Sequence, residues 1–174
     1  THNTWLNDEG DFCFTTDETF TGFIRAFDVS DPTNIFETDR IKSELSFNVA
    51  PHNVHVLNDF LVISHYRDGI TLVDAANPDN MAIMGYYDTS PLVGQGFDGC
   101  WGAYPFLPSG NVLATDIQTG LKIFSVNYER VGFLDLTVLD SATQSPVAAA
   151  EVSLDGQLIG FTDNMGQISL AVDS

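Results

Sequence analysis

The chain has 174 residues, of which 44% are hydrophobic, and its 24 acidic residues against 6 basic ones give a formal net charge of −18. This charge argues against nucleic acid or an anionic membrane as a partner, because both would repel the protein. The sequence contains no run of about 20 apolar residues, so we expect no membrane insertion by this segment. The acidity suits either solubility alone or a secreted protein in salty or Ca²⁺-containing surroundings.

Short apolar runs separated by turn residues fill the first 126 positions, and the clearest series lies between residues 52 and 89. There, four runs rich in Val, Ile and Tyr alternate with clusters of Asn, Asp, Gly and Pro. Runs of this kind are typical of β-strands and are too short for helices of ordinary length. Joined by tight turns, they predict a four-stranded antiparallel meander with strands at 52–57, 60–66, 70–74 and 81–87.

The same series recurs on both sides with a spacing of about 50 residues, which separates His2 from His52 and Gly69 from Gly120. Four strands per unit at this period indicate blades of a β-propeller. The third unit lacks a fourth strand, so we predict about three four-stranded blades that form the C-terminal part of a propeller over residues 1–131. Because a blade needs a neighbour on each face, other protein chains or the remainder of a longer protein would complete the ring.

Residues 132–174 differ in composition, since alanine and serine become more frequent and the repeat is lost. Short alternating runs at 133–139, 148–154, 158–162 and 167–172 surround Asp155-Gly156, a typical two-residue hairpin turn. We therefore predict the beginning of a small antiparallel β-sandwich and, for the whole chain, an all-β fold class.

Several motifs follow one another in the first 126 residues: THNTWLNDEGDFCFTTDE (1–18), FDVSDPTN (27–34), HNVHV (52–56), SHYRDGITLVDAANPDN (64–80), GYYDT (85–89) and WGAYPFLPSGNVLATDIQTGL (101–121). In these motifs the chain resembles the LVIVD-repeat proteins of the choice-of-anchor B family, which are predicted β-propellers of bacterial surfaces. The resemblance implies an extracellular or cell-surface location but no defined activity.

A second resemblance covers the C-terminal part of the chain. Residues 136–170 read LTVLDSATQSPVAAAEVSLDGQLIGFTDNMGQISL and are similar to a carboxypeptidase regulatory-like domain, including its TDNMG turn. Such domains are transthyretin-like sandwiches and are non-catalytic where they are appended to other domains. The resemblance implies a spacer or an adhesive module.

Candidate metal ligands lie at the starts of first strands and the ends of second strands, which share one rim in an up-and-down blade. Imidazole with carboxylates suits Zn²⁺ or another transition metal, whereas carboxylates with carbonyls suit Ca²⁺. The alternative is that these groups only cap strand ends and bond neighbouring blades. The candidate ligands of a divalent metal (Ca or Zn) are His2, His52, His65, Asp17, Glu18 and Asp116.

Aromatic residues near the same rim suggest a ligand-binding surface for a sugar or a peptide. The candidates are Trp101, Tyr104 and Tyr66, with Asp68 as a polar neighbour, and the alternative for each ring is packing between blades. Cys13 and Cys100 lie two repeats apart, and a disulfide between them would require their Cα atoms to lie within about 7 Å.

No catalytic residues are assigned, because the sequence has no GxSxG, no glycine-rich phosphate loop and no CxxC motif. The resemblance to LVIVD-repeat proteins implies a secreted or cell-surface propeller, which we expect to act as a binding, adhesion or structural module of a bacterial surface assembly. Its partners would be protein chains or a glycan. The alternative function is a hydrolase or metal-dependent enzyme with its site on the propeller rim.

Overall fold

All regular secondary structure of the described residues is β, as the sequence predicts. The computed structural model describes residues 1–43, 45 and 48–172, and within these ranges it contains strands and no helix. The described part of the chain accordingly holds no helix of the length and apolarity needed to cross a membrane. The strands are β1 (Asn3–Leu6), β2 (Phe12–Thr16), β3 (Ile24–Asp28), β4 (Phe36–Ile41), β5 (Asn53–Leu57), β6 (Phe60–Ser64), β7 (Ile70–Asp74), β8 (Ala82–Tyr87), β9 (Cys100–Tyr104), β10 (Asn111–Asp116), β11 (Gly120–Ser125), β12 (Gly132–Thr137), β13 (Glu151–Leu154), β14 (Gln157–Phe161) and β15 (Gln167–Val172).

The chain divides into two compact units, an N-terminal unit of Thr1–Arg130 and a C-terminal unit of Val131–Ser174. The N-terminal unit contains three antiparallel sheets with sequential strand order. Sheet 1 has the order β1-β2-β3-β4, sheet 2 has the order β5-β6-β7-β8, and sheet 3 contains β9, β10 and β11. Tight turns join these strands because residues with positive φ occupy them, such as Asn58 (φ 50°) and Asp59 (φ 62°) between β5 and β6.

Sheet 2 is buried on both of its faces. All five residues of β6 are buried, and alternate side chains point to opposite faces of the strand. Leu61 and Ile63 pack in one apolar cluster with Phe14 and Ile24 of sheet 1. Val62 packs in a second cluster with residues of sheet 3, among them Ala103, Val112 and Ala114. Sheet 2 therefore lies between sheets 1 and 3.

Hydrogen bonds between sheets recur at the starts of the first strands. The Thr16 hydroxyl, at the end of β2, donates to the His52 carbonyl at 2.5 Å. The Ser64 hydroxyl, at the end of β6, donates in the same way to the Trp101 carbonyl at 3.2 Å. These bonds fix the position of each sheet relative to the next along the strand direction, because they require one particular carbonyl to face one particular hydroxyl.

The C-terminal unit contains two two-stranded antiparallel sheets, β12-β15 and β13-β14. Asp155 (φ 50°) and Gly156 (φ 83°) form the hairpin turn between β13 and β14 that the sequence predicts. Gly160 allows β14 to approach β15 closely, since a Cβ atom built on it would lie 2.7 Å from Cδ1 of Ile168.

Replacing Leu61 by alanine should destabilise the protein by about 2–5 kcal/mol, because the change opens a cavity between sheets 1 and 2. The matched control is Leu121→Ala on β11, whose side chain is 58% exposed and should cost less than about 0.5 kcal/mol. Urea unfolding followed by circular dichroism measures both values. Equal effects of the two variants would contradict the described packing of sheet 2.

Thr16→Val should lower the free energy of unfolding by about 1–3 kcal/mol, because the change keeps the side-chain shape but leaves the buried His52 carbonyl without its donor. Thr115→Val, at an exposed position of β10, is the matched control and should be nearly neutral. The same unfolding experiment checks this expectation. A neutral Thr16→Val variant would show that the inter-sheet hydrogen bond contributes nothing to stability.

Candidate functional site

Five side chains meet where the first strands of the three sheets begin, and we call this group the inner-strand cluster. The strands β1, β5 and β9 lie side by side, which brings residues at their starts together with residues that follow β2 and β6. Of the six residues that strand direction predicts to converge, three do so here, namely His2, Glu18 and His52. The members of the inner-strand cluster are His2, Glu18, His52, Tyr66 and Trp101.

The Glu18 carboxylate is the centre of the inner-strand cluster. Its Oε2 atom lies 2.9 Å from Nδ1 of His2, and its Oε1 atom lies 3.8 Å from Nε2 of His52. The Tyr66 hydroxyl donates a hydrogen bond to the same Oε1 atom. Burial raises the pKa of Tyr66 far above its usual range, as do the hydrogen bond to Glu18 and the charge of that carboxylate, so the phenol stays protonated and remains a donor.

Both ring nitrogens of His52 are engaged by Trp101. The Nδ1 atom lies 2.6 Å from the Trp101 carbonyl oxygen, which can only accept, so Nδ1 carries the proton. The Nε2 atom then accepts a hydrogen bond of 2.9 Å from the indole N–H of Trp101. Burial lowers the pKa of His52, and the neighbouring His2 lowers it further, while the Trp101 carbonyl and Glu18 act in the opposite direction. His52 is therefore neutral near pH 7, with a defined tautomer.

Aromatic contacts hold the rings of the cluster in place. The His2 and His52 rings stack with centroids 4.6 Å apart. The Tyr66 ring lies 5.1 Å and the Trp101 ring 5.8 Å from the His52 ring. Trp101 nevertheless remains 57% exposed, so it offers a ring surface to solvent next to a partly buried polar network.

Two of the predicted metal ligands, Asp17 and Asp116, have other partners. Asp17 lies 2.6 Å from Nε of Arg25, and although burial alone would raise its pKa, the hydrogen bond from Arg25 lowers that pKa overall. Asp116 accepts hydrogen bonds from the backbone N–H groups of Gln118 and Thr119, both at 2.8 Å, and from the Thr89 hydroxyl at 2.8 Å. Both carboxylates therefore serve local structure and do not join the inner-strand cluster.

The third predicted ligand outside the cluster is His65, which is only 1% exposed. Burial lowers its pKa to about 4, and a hydrogen bond with the Val49 backbone opposes this shift. Its Nδ1 atom has no hydrogen-bond partner within the described residues. His65 is a core residue, since the strand alternation that turns Ser64 toward sheet 3 turns His65 away from it.

The predicted ligand-binding residues fall into two groups. Trp101 and Tyr104 are exposed on β9, at 57% and 46%, whereas Tyr66 and Asp68 are buried at 3% and 4%. Tyr66 belongs to the inner-strand cluster through its hydroxyl, whereas Asp68 lies within the turn between β6 and β7 and is buried. Cys13 and Cys100 are free thiols, so the disulfide that the sequence left open does not form.

Sequence reasoning missed the role of Arg67 in ordering the long loop before β9. The Arg67 guanidinium bonds the Val93 carbonyl at 2.9 Å and the Asp98 carboxylate at 2.7 Å. It occupies the space beside Gly96, where a Cβ atom would lie only 2.2 Å from Nη2. The same loop places Phe97 against Tyr66, with ring centroids 5.3 Å apart. The glycine content of this loop was the available signal, because glycine permits such close approach.

The chain matches no known protein family, and neither the curated proteins nor the solved structures include a significant match to it. What the site can do therefore has to be argued from its own geometry.

The inner-strand cluster has two chemical capabilities. It presents an exposed indole beside hydrogen-bonding groups, an arrangement that suits a polar ligand with an apolar face. It also brings one ligand atom each of His2, Glu18 and His52 within 4.8 Å of one another, a spacing from which a metal ion could be held.

The stability of the protein should fall as the pH is lowered from about 6.5 to 4. The pKa of His65 is about 4 in the folded state and near 6.5 when unfolded, so only the unfolded chain binds this proton within that window. The loss from one such group is about 1.4 kcal/mol per pH unit. Burial lowers the pKa values of His52 and His55 as well, so they contribute with the same sign.

The variant His65→Gln should show a flatter dependence of unfolding free energy on pH within this window, whatever its stability at pH 7.5. Urea unfolding at half-unit pH intervals measures the slope and separates lost packing from lost proton binding. A slope identical to that of the unchanged protein would contradict the assignment of His65 as a buried neutral group.

Proposed function

We propose that this chain is part of a secreted or cell-surface β-propeller and acts as a binding or adhesion module of a bacterial surface assembly. The sheets of the N-terminal unit would be successive blades of an LVIVD-type propeller. Three observations support this: each sheet is a meander with sequential strand order, the first strands lie side by side, and sheet 2 is covered on both faces.

The partners of the proposed module would be other protein chains or further parts of a longer protein. Leu121 and Ile123 on β11 are 58% and 62% exposed, and both point away from sheet 2. A propeller blade at this position would cover them, as sheets 1 and 3 cover sheet 2. The C-terminal unit would serve as a non-catalytic spacer or adhesive module, in keeping with its resemblance to carboxypeptidase regulatory-like domains.

The ligand of the proposed module would be a glycan, and the exposed Trp101 indole is the observation that carries this proposal. Sugars present apolar C–H faces that stack on aromatic rings, and their hydroxyl groups bond polar neighbours. Trp101 is 57% exposed and its indole N–H is directed into the inner-strand cluster. Tyr104, 46% exposed on the same strand, would extend this surface. The net charge of −18 favours neutral over anionic glycans.

Trp101→Ala should weaken glycan binding at least tenfold, because large exposed aromatic residues commonly dominate the binding energy of such surfaces. A glycan array identifies a ligand, and calorimetry then compares the unchanged protein with the variant, both treated with EDTA. Phe36→Ala is the matched control, since Phe36 is 50% exposed on β4 and lies outside the cluster.

Binding that survives Trp101→Ala unchanged would contradict the proposed ligand surface. Turnover of ester, phosphate or glycoside substrates would instead favour the alternative function, a hydrolase or metal-dependent enzyme at the same place.

A further inference from the structure

We infer that His2, Glu18 and His52 form a binding site for a divalent transition metal of the Zn²⁺ type, and that the Trp101 indole covers it until the metal binds. This inference goes beyond the proposed function, because a metal here does not require a glycan. It depends only on the geometry of the inner-strand cluster.

The orientation of His52 is the first argument. Its Nδ1–H group donates to the Trp101 backbone carbonyl at 2.6 Å, which fixes the tautomer and leaves Nε2 unprotonated. Nε2 accepts from the Trp101 indole N–H at 2.9 Å and lies 3.8 Å from Oε1 of Glu18. Metal-binding histidines are usually oriented by a hydrogen bond of this kind from their second nitrogen. The His52 side chain is only 8% exposed, so its ring has little freedom to turn away.

The second argument is the spacing of the three donors. In a tetrahedral zinc site with bonds of 2.0–2.1 Å, ligand atoms lie about 3.4 Å apart. Oε2 of Glu18 lies 2.9 Å from Nδ1 of His2, and Oε1 of Glu18 lies 3.8 Å from Nε2 of His52. One ligand atom from each of the three residues lies within 4.8 Å of the others. These separations lie on both sides of the tetrahedral value, so no ligand–ligand distance has to change by more than about 1.4 Å. The Tyr66 hydroxyl would remain as the outer hydrogen-bond donor that holds the carboxylate.

The chemistry of the donors decides the kind of metal. Two of the three are imidazole nitrogens, which suit zinc and similar ions. Calcium takes six to eight oxygen ligands, and the cluster offers one carboxylate. Three protein donors leave one tetrahedral position for water or a further ligand.

The Trp101 indole occupies the position from which a metal ion would approach Nε2 of His52. Its indole N–H is 2.9 Å from the Nε2 lone pair, so metal binding must displace this hydrogen bond. The exposure of 57% leaves the indole room to move into solvent. The Trp101 backbone carbonyl, which orients His52, would stay in place because it also accepts from Ser64 at 3.2 Å.

Calorimetric titration of the EDTA-treated full chain with Zn²⁺ tests this inference. We expect one Zn²⁺ per chain, and at least a tenfold weaker binding in His2→Ala, Glu18→Gln and His52→Ala. His55→Ala, on the same strand β5 but outside the cluster, should bind as the unchanged protein does. Since the His2 side chain is 36% exposed, His2→Ala keeps the test valid if the buried His52 variant fails to fold.

Tryptophan fluorescence gives an independent readout, because the chain has only two tryptophans, Trp5 and Trp101. Zn²⁺ should change the emission of the unchanged protein, and Trp101→Phe should abolish that change while binding Zn²⁺ several-fold more tightly. Absence of stoichiometric binding, or binding retained in both His2→Ala and Glu18→Gln, would overturn the inference. Either result would leave the glycan experiment unaffected, since that experiment uses protein without metal.

Discussion

The burial of both faces of sheet 2 is the constraint on which the rest of the N-terminal unit depends. Strand β6 is apolar or buried at every position from Phe60 to Ser64, so neither face of its sheet tolerates water. Two neighbouring sheets have to cover it, and their packing brings the first strands β1, β5 and β9 together. The inner-strand cluster exists because these three strand starts become neighbours.

Apolar burial does not determine how far one sheet is shifted relative to the next along the strand direction. In this unit, hydrogen bonds between the sheets determine that shift. The Trp101 carbonyl accepts hydrogen bonds from both the Ser64 hydroxyl and Nδ1 of His52. The same oxygen therefore joins sheets 2 and 3 and orients the imidazole of the cluster. The Thr16 hydroxyl and the His52 carbonyl form the corresponding bond between sheets 1 and 2. Stability and site geometry thus depend on the same few hydrogen bonds.

Much of this arrangement can be predicted from the sequence, because strands and turns have local signals. Period-two runs bounded by Asn, Asp and Gly identify the strands. Strand direction predicts a convergence of six residues, of which His2, His52 and Glu18 meet. The position of Asp116 was less predictable, although Asp followed by two turn residues often caps its own turn, as it does here. To predict that His65 is buried, one has to know to which face of the sheet its side chain points. That direction depends on where the turn at Tyr66 (φ 36°) ends the strand.

Contacts between residues that are far apart in the sequence could not be predicted from local sequence patterns. The bond of Arg67 to Asp98 spans 31 positions, and nothing near Arg67 in the sequence indicates that partner. The hydrogen bond from the Trp101 indole to Nε2 of His52 joins residues 49 positions apart. Such pairs are decided by the packing of whole sheets, and they determine the chemistry of the site more than the residue types alone.

The acidity of the chain and the chemistry of the cluster have separate origins. Many exposed aspartates cap turns: Asp28 accepts from the hydroxyl and the backbone N–H of Ser30, and Asp31 accepts from the same two groups of Thr33. These hydrogen bonds lower the pKa values of both carboxyls, so they remain charged in water and add to the net charge. The cluster, by contrast, sets one carboxylate among two imidazoles, a phenol and an indole. The surrounding negative field attracts cations to this site and repels anions, so it favours a metal ion and a neutral ligand over a phosphate or an acidic sugar.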